Sequence, residues 1–273
     1  IGRYIFKKVH TDIIKDVDSE YSRIWVKNIE VSENTSYKTL QVDTGLESYM
    51  NEQTGEMGAK YLTYYDLFSY YNKDANKTLM IGGAAYTYPK HYLQKYKDKK
   101  IDVVEIDKKM TEIAEEEFGL DVNNPNLGIY HQDGRSYINY SKNKYDTILI
   151  DAFKGLNAPF ELTTYEAMCK AKEMLNENGL VITNVISSLE GEESKFIKHE
   201  YATYKAVFDD VKLFAVNTQD KNQRQNLILV GIKGKTNINT ENEEDYKKLL
   251  ETEVTDFTSN SIISTDDFAP IGN

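Results

Sequence analysis

Four points along residues 78–151 carry the residue types that chemistry needs, and each falls where an apolar run ends. "TLMIGG" ends on Gly82 and Gly83, "IDVVEID" carries Glu105, "LGIYHQD" ends on Asp133 with Gly134 next, and "YDTILID" ends on Asp151. Paired glycines at a strand end let backbone N–H groups approach a ligand closely. An acid at the end of the following strand is placed to accept from both hydroxyls of a ribose. Asp133 is placed to accept an exocyclic amine of a base, with Gly134 letting the base lie against backbone. A helix N-cap is its plain alternative, as packing and structural roles are for the glycines and Glu105. An ionisable residue that closes a buried strand is costly unless paired or used, which marks Asp151. Together these residues describe a nucleoside site with a further carboxylate beyond it. A full G-x-G-x-x-G is absent, and the loop tip, Ala84 and Ala85, has no polar side chain. The loop can still hold a ligand by backbone groups, while the acids supply the side-chain contacts.

Alternating elements position these residues. From Lys77 the chain reads strand, helix, strand, helix as far as "ESKFIKHEYATYKAVF" (193–208), then two strands, "VKLFAVN" and "QNLILVGIK", with no helix between them. That rhythm predicts an α/β fold, a mostly parallel sheet covered on both faces, with an antiparallel edge. "SRIWVKNIEV" and "YKTLQVD" instead place apolar residues at about every second position, as half-buried strands do. The expected organisation is a β domain over 1–58, a linking helix over 59–76, a nucleoside-binding catalytic domain over 77–235, and a C-terminal helix and tail over 236–273.

Composition narrows the partners. The 273 residues include 33 basic and 44 acidic ones, a net charge of −11. Nucleic acid is disfavoured, because phosphate contacts need clustered Lys and Arg. The single cysteine, Cys169, rules out an internal disulfide, and the scattered histidines have no ligand spacing, so no metal is expected. Cysteine usage and the lack of any run of 18 apolar residues suggest a cytoplasmic protein. The first residue is Ile1, so an upstream membrane segment stays open.

"LMIGGAAYTYPK", "VVEID", "HQDGRSYI" and "YDTILIDAFKGLNAPFELTTYEA" together resemble the spermidine synthase (polyamine aminopropyltransferase) family. The resemblance covers residues 20–233. "STDDFAPIGN" looks like the ending of a divergent branch often fused to membrane segments. The resemblance implies a Rossmann-like, seven-stranded methyltransferase-type sheet behind a small antiparallel β domain, and a homodimer. It implies decarboxylated S-adenosylmethionine, or S-adenosylmethionine, as co-substrate and a small-molecule amine as acceptor. By position Gly82, Gly83 and Ala84 form the nucleoside loop, Glu105 takes the ribose with Ile106 beside it, Asp133 and Gly134 take the adenine, and Pro159 lies near the base. Asp151 matches the proposed proton acceptor, and Tyr64 a tyrosine that helps hold the attacking amine.

The departures concern the acceptor side. The loop Asp that binds the aminopropyl amine is here Ala85, the second acid of Asp-x-x-Asp is Lys154, and the His or Gln after the pocket tyrosine is Tyr65. A nucleoside-contacting Gln is here Ser22. A cationic Lys154 about 4 Å from an ammonium would cost on the order of 4 kcal/mol at an effective dielectric near 20. It would instead suit the carboxylate of intact S-adenosylmethionine, which Arg135 is also placed to meet. Two other readings stay open: a methyltransferase or other transferase on a non-polyamine acceptor, and a nucleoside-binding module without chemistry.

Overall fold

Period-two patterning in the first fifth of the chain produces an antiparallel meander. The computed structural model describes residues 10–153, 159–217, 220–241 and 243–268. Its first strands, β1 (His10–Asp18), β2 (Arg23–Ser32), β3 (Thr35–Val42) and β4 (Gly45–Asn51), pair in chain order. Ile24, Val26 and Leu40 share the inner face and are fully buried, as strand alternation requires. They pack on Ala85, Met110, Ile113 and Phe118 of the following domain. Lys15 pairs with Glu116, and Lys38 Nζ donates to the Glu117 carbonyl at 3.0 Å, so the meander is tied down at its edge as well as through its core.

The stretch expected as a linking helix over 59–76 begins as a 3₁₀ segment, Lys60–Asp66, and continues as α1 (Leu67–Tyr71). Then follow β5 (Lys77–Ile81), α2 (Thr87–Lys95), β6 (Lys100–Val104), α3 (Lys108–Phe118), β7 (Leu127–Tyr130), α4 (Gly134–Tyr140) and β8 (Tyr145–Ile150). After them come α5 (Tyr165–Met174), β9 (Leu175–Ser187), α6 (Lys195–Val207), β10 (Asp210–Ala215), β11 (Gln225–Ile232) and α7 (Glu243–Leu250). "NENG" (176–179) lies within β9, where Asn178 takes a left-handed φ of 61° and the ladder with β8 slips. Asn tolerates that conformation better than most residues.

The seven strands order β10-β11-β9-β8-β5-β6-β7, with β10 and β11 antiparallel and the rest parallel. Leu79, Ile81, Ile148 and Ile150 pack into one helical layer, while Met80 and Leu149 pack into the other. Burial on both faces explains why β5 and β8 read as unbroken apolar runs. The chain moves from β5 out through β6 to β7, then returns to lay β8 on the other side of β5. The carboxyl ends of β5 and β8 thus flank the topological switch point, where open α/β sheets bind their ligands. Among the described residues no helix is long and apolar enough to cross a membrane.

Candidate active site

Gly82 and Asp151 meet at that switch point because one of them has no side chain. Gly82 has φ +92°, and a Cβ there would lie 2.3 Å from the Asp151 carbonyl oxygen. The Asp151 N–H donates to the Ile81 carbonyl at 2.9 Å, and the Gly82 N–H to that of Val104 at 2.9 Å. The loop after Gly82 also takes left-handed φ at Ala84 and Tyr86, conformations that non-glycine residues adopt at some cost. Its N–H groups are turned on Glu105. Gly83 and Ala84 donate to Oε2 at 2.8 and 3.1 Å, and the Asp107 N–H donates to Oε1 at 2.9 Å. Burial raises the Glu105 pKa, and these backbone donors oppose the rise. The expected ribose acceptor is therefore also the clasp of the glycine loop.

Asp151 forms one wall of a small cavity, about 30 Å³ in volume, with Glu47, Ser48, Tyr61, Gly82–Ala84 and Tyr88. The Tyr61 hydroxyl donates to Asp151 Oδ2 at 3.0 Å, and Asn184 Nδ2 donates to Oδ1 at 3.2 Å. Asn226 Nδ2 fixes the Asn184 amide by donating to its Oδ1 at 3.0 Å. Burial raises the Asp151 pKa against these hydrogen bonds. Glu47 is pushed up to about 7, first by burial and then by Asp151, Glu105 and Asp43. Tyr88 is anchored outside the cavity, donating to Asp66 Oδ1 at 3.1 Å, while Lys95 Nζ donates to Asp66 Oδ2 at 2.7 Å.

Several expected residues stand elsewhere. Tyr64, expected to hold the acceptor, is fully buried with its hydroxyl 3.0 Å from Thr252 Oγ1 and its ring against Phe214. Tyr61 and Tyr65 are the ones that turn toward Asp151, four residues apart on one face, with their rings edge to face at 5.9 Å. Arg135 is committed: it bonds Asp266 at 2.6 Å, the Glu161 carbonyl at 2.7 Å and Thr164 Oγ1 at 2.9 Å, and so does not point at a ligand carboxylate. Lys154 lies outside the described residues.

Of the nucleoside candidates, Ile106 follows Glu105 directly. Ile106 is 42% exposed and borders an open cleft of about 580 Å³ with Ser19, Tyr21, Lys108, Lys109 and His131. Ser22 lies at its edge, its N–H donating to Ser19 Oγ at 3.0 Å. Asp133 is exposed and does cap α4, accepting from the Ser136 N–H at 2.7 Å through Oδ1. A Cβ on Gly134 would lie 2.6 Å from Ile81 Cγ2 and 3.6 Å from Leu162. Pro159 starts the turn Phe160–Leu162, which that contact brings against Gly134.

Ala85 explains its own apolar character. It is fully buried in the apolar contact between the meander and α3. Ala85→Asp should therefore lower stability by about 3 kcal/mol, because an unpaired carboxylate would enter that contact. Urea denaturation checks this, and an unchanged midpoint would show that position 85 opens onto the cavity instead.

Sequence reasoning missed Glu47, Tyr61 and Asn184. Asn184 left a signal, a polar residue inside "LVITNVI". Tyr61 and Glu47 left none, because helix phase and strand irregularity decide where they point.

Residues 63–242 match the family model of the spermine/spermidine synthase domain. A polyamine aminopropyltransferase of Vibrio vulnificus is 31% identical over 156 residues, 56% of this chain and 50% of that protein. A probable polyamine aminopropyl transferase of Bifidobacterium longum is 30% identical over 184 residues, 67% of this chain and 40% of that protein. The chain thus spans half or less of the length of these curated relatives. A crystal structure of a probable spermidine synthase from Corynebacterium glutamicum superposes with a TM-score of 0.77 at 20% identity, covering 96% of this chain and 99% of that one.

Proposed function

The chain belongs to the spermine/spermidine synthase family, and from that premise we propose that it transfers an aminopropyl group from decarboxylated S-adenosylmethionine to an amine, with Asp151 taking the proton. The observation that carries this reading is the Asp151 carboxylate at the switch point, held by Tyr61 and Asn184 on the wall of a cavity. The acceptor arrives as an ammonium, and its proton passes to Asp151. The freed nitrogen lone pair attacks the methylene beside the sulfonium, the carbon–sulfur bond breaks, and its electron pair stays on sulfur. The products are the extended amine and neutral methylthioadenosine.

Burial helps Asp151 in this role. An alkyl amine has a pKa of about 10.4, so removing its proton at pH 7 costs roughly 4–5 kcal/mol. A carboxylate whose pKa burial has raised is a better base than an ordinary one. The 30 Å³ cavity suits an ammonium-sized group, whereas the 580 Å³ cleft beside Ile106 has nucleoside dimensions. Glu105 stands between them, touching the loop on one side and Asp107 on the other. That order supports ribose at Glu105, adenine beside Ile106 and sulfur toward Asp151, while Asp133, Gly134 and Pro159 as adenine contacts rest on the family resemblance. Intact S-adenosylmethionine would bring its carboxylate toward two acids, Glu47 and Asp151, which disfavours the methyltransferase alternative.

Isothermal titration with S-adenosylmethionine, its decarboxylated form and methylthioadenosine tests the reading. The decarboxylated nucleoside and methylthioadenosine should bind in the micromolar range, and the intact one more weakly. Failure of all three to bind below millimolar would remove the transferase reading.

A further inference from the structure

We propose that Glu47, carried by the N-terminal meander, receives the ammonium end of the aminopropyl chain, so that the small sheet supplies a substrate-binding residue to the site of the larger one. The inference rests on the transferase reading above and goes beyond it by naming the residue that distinguishes the decarboxylated nucleoside from its carboxylate-bearing parent.

The strand is irregular where it needs to be. Leu40 pairs with Ser48 and Gln41 with Leu46, which leaves Glu47 as an extra residue on β4. Successive residues of a regular strand face opposite sides; a bulge re-aims one of them. Both Glu47 and Ser48 accordingly line the cavity. Gly45 clears the space beside it, since a Cβ there would lie 2.8 Å from Glu47 Oε1.

The electrostatics of the cavity call for a cation. Among the described residues the charged groups acting on Glu47 are Asp151, Glu105 and Asp43, all acids, and neither Glu47 nor Asp151 has a lysine or arginine within ion-pair distance. Two carboxylates on one wall with no counter-charge among the described residues destabilise each other, and an ammonium held at Glu47 relieves both. Tyr65 is fully buried against Asp151, and its hydroxyl faces that carboxylate without a hydrogen bond of ordinary geometry. A buried polar atom so poorly paired is costly, and a shift of the Asp151 carboxylate toward it on ammonium binding would improve the contact. Ala85, where the family resemblance expects an acid, is packed under the meander rather than on the cavity wall, whereas Glu47 lines the cavity.

Titration of wild type and Glu47→Gln with the three nucleosides separates the possibilities. Decarboxylated S-adenosylmethionine should bind the variant about ten- to a hundredfold more weakly, the effect of losing one charged hydrogen bond. Methylthioadenosine, which has no ammonium, should bind both within about twofold. Glu47→Asp should recover part of the loss. An equal loss for all three ligands would make Glu47 merely structural and overturn the proposal. Unchanged affinity for the decarboxylated nucleoside would overturn it too, including the case where only the acceptor's KM rises, which would assign Glu47 to the acceptor. Absence of any nucleoside binding to wild type would instead remove the transferase reading.

Thermal melts guard against misfolding. The raised pKa of Glu47 means that its charge opposes folding when no ligand is present, so that cost grows as pH rises from 4.5 to about 7. Glu47→Gln should therefore melt at or above the wild-type temperature at pH 8, with the difference shrinking toward pH 4. A large drop at pH 8 would show that the carboxylate is structural and count against the proposal.

Discussion

Asp151→Asn should lose transfer by about a hundred- to ten-thousandfold, the range for removing a general base, while methylthioadenosine still binds with near wild-type affinity. The substitution is close to isosteric. The amide oxygen can keep the hydrogen bond from Asn184, and the Tyr61 hydroxyl can turn to accept from the new amide nitrogen. The fold should survive, so lost turnover would report lost proton acceptance. Mass spectrometry of the extended amine and titration with methylthioadenosine read the two effects separately. In wild type the acid limb of kcat/KM should lie above the ordinary carboxyl value of 3.8, because burial raises the Asp151 pKa and only the ionised form takes a proton. Activity therefore falls as pH drops through that raised value. Turnover unchanged in Asp151→Asn would exclude this residue as the base.

Glu105→Ala should have the second largest effect, on folding and binding together. The change would leave the N–H groups of Gly83, Ala84 and Asp107 without their acceptor. A buried donor left unpaired costs about 1–3 kcal/mol, and water would restore part of this, so a loss of about 3–5 kcal/mol is expected. The loop would then no longer be held in its left-handed turns at Ala84 and Tyr86. Methylthioadenosine affinity should fall by more than about a hundredfold. Urea denaturation and titration at a temperature where the variant is folded measure both. A variant that binds normally would show that Glu105 clasps the loop without contacting the nucleoside.

The strand-end residues were legible because their positions depend on local patterning. Apolar runs at 78–81 and 147–150 end where the sheet ends, so Gly82 and Asp151 fall on its carboxyl rim whatever the rest of the chain does. The antiparallel edge was legible for the same reason, from two apolar runs with no helix between them. What was not legible depends on three-dimensional phase. Tyr61 and Tyr64 are three apart in a tyrosine-rich segment, and only packing decides that Tyr64 meets Thr252 while Tyr61 meets Asp151. Glu47 faces the cavity through a bulge that no alternation pattern announces. Arg135 sits beside the adenine candidates in sequence, yet an acid 131 residues away takes it. The apolar loop tip has a long-range cause as well. Ala85 packs under the meander, and the N–H groups of its neighbours Gly83 and Ala84 hold Glu105.

The most direct test of amine-dependent chemistry at Asp151 is the release of methylthioadenosine from decarboxylated S-adenosylmethionine, followed with and without a panel of alkyl diamines. That readout does not depend on knowing the acceptor. The expected result is release that requires an amine in wild type and is lost in Asp151→Asn. Release that is absent with every amine, or equal in the two proteins, would contradict it.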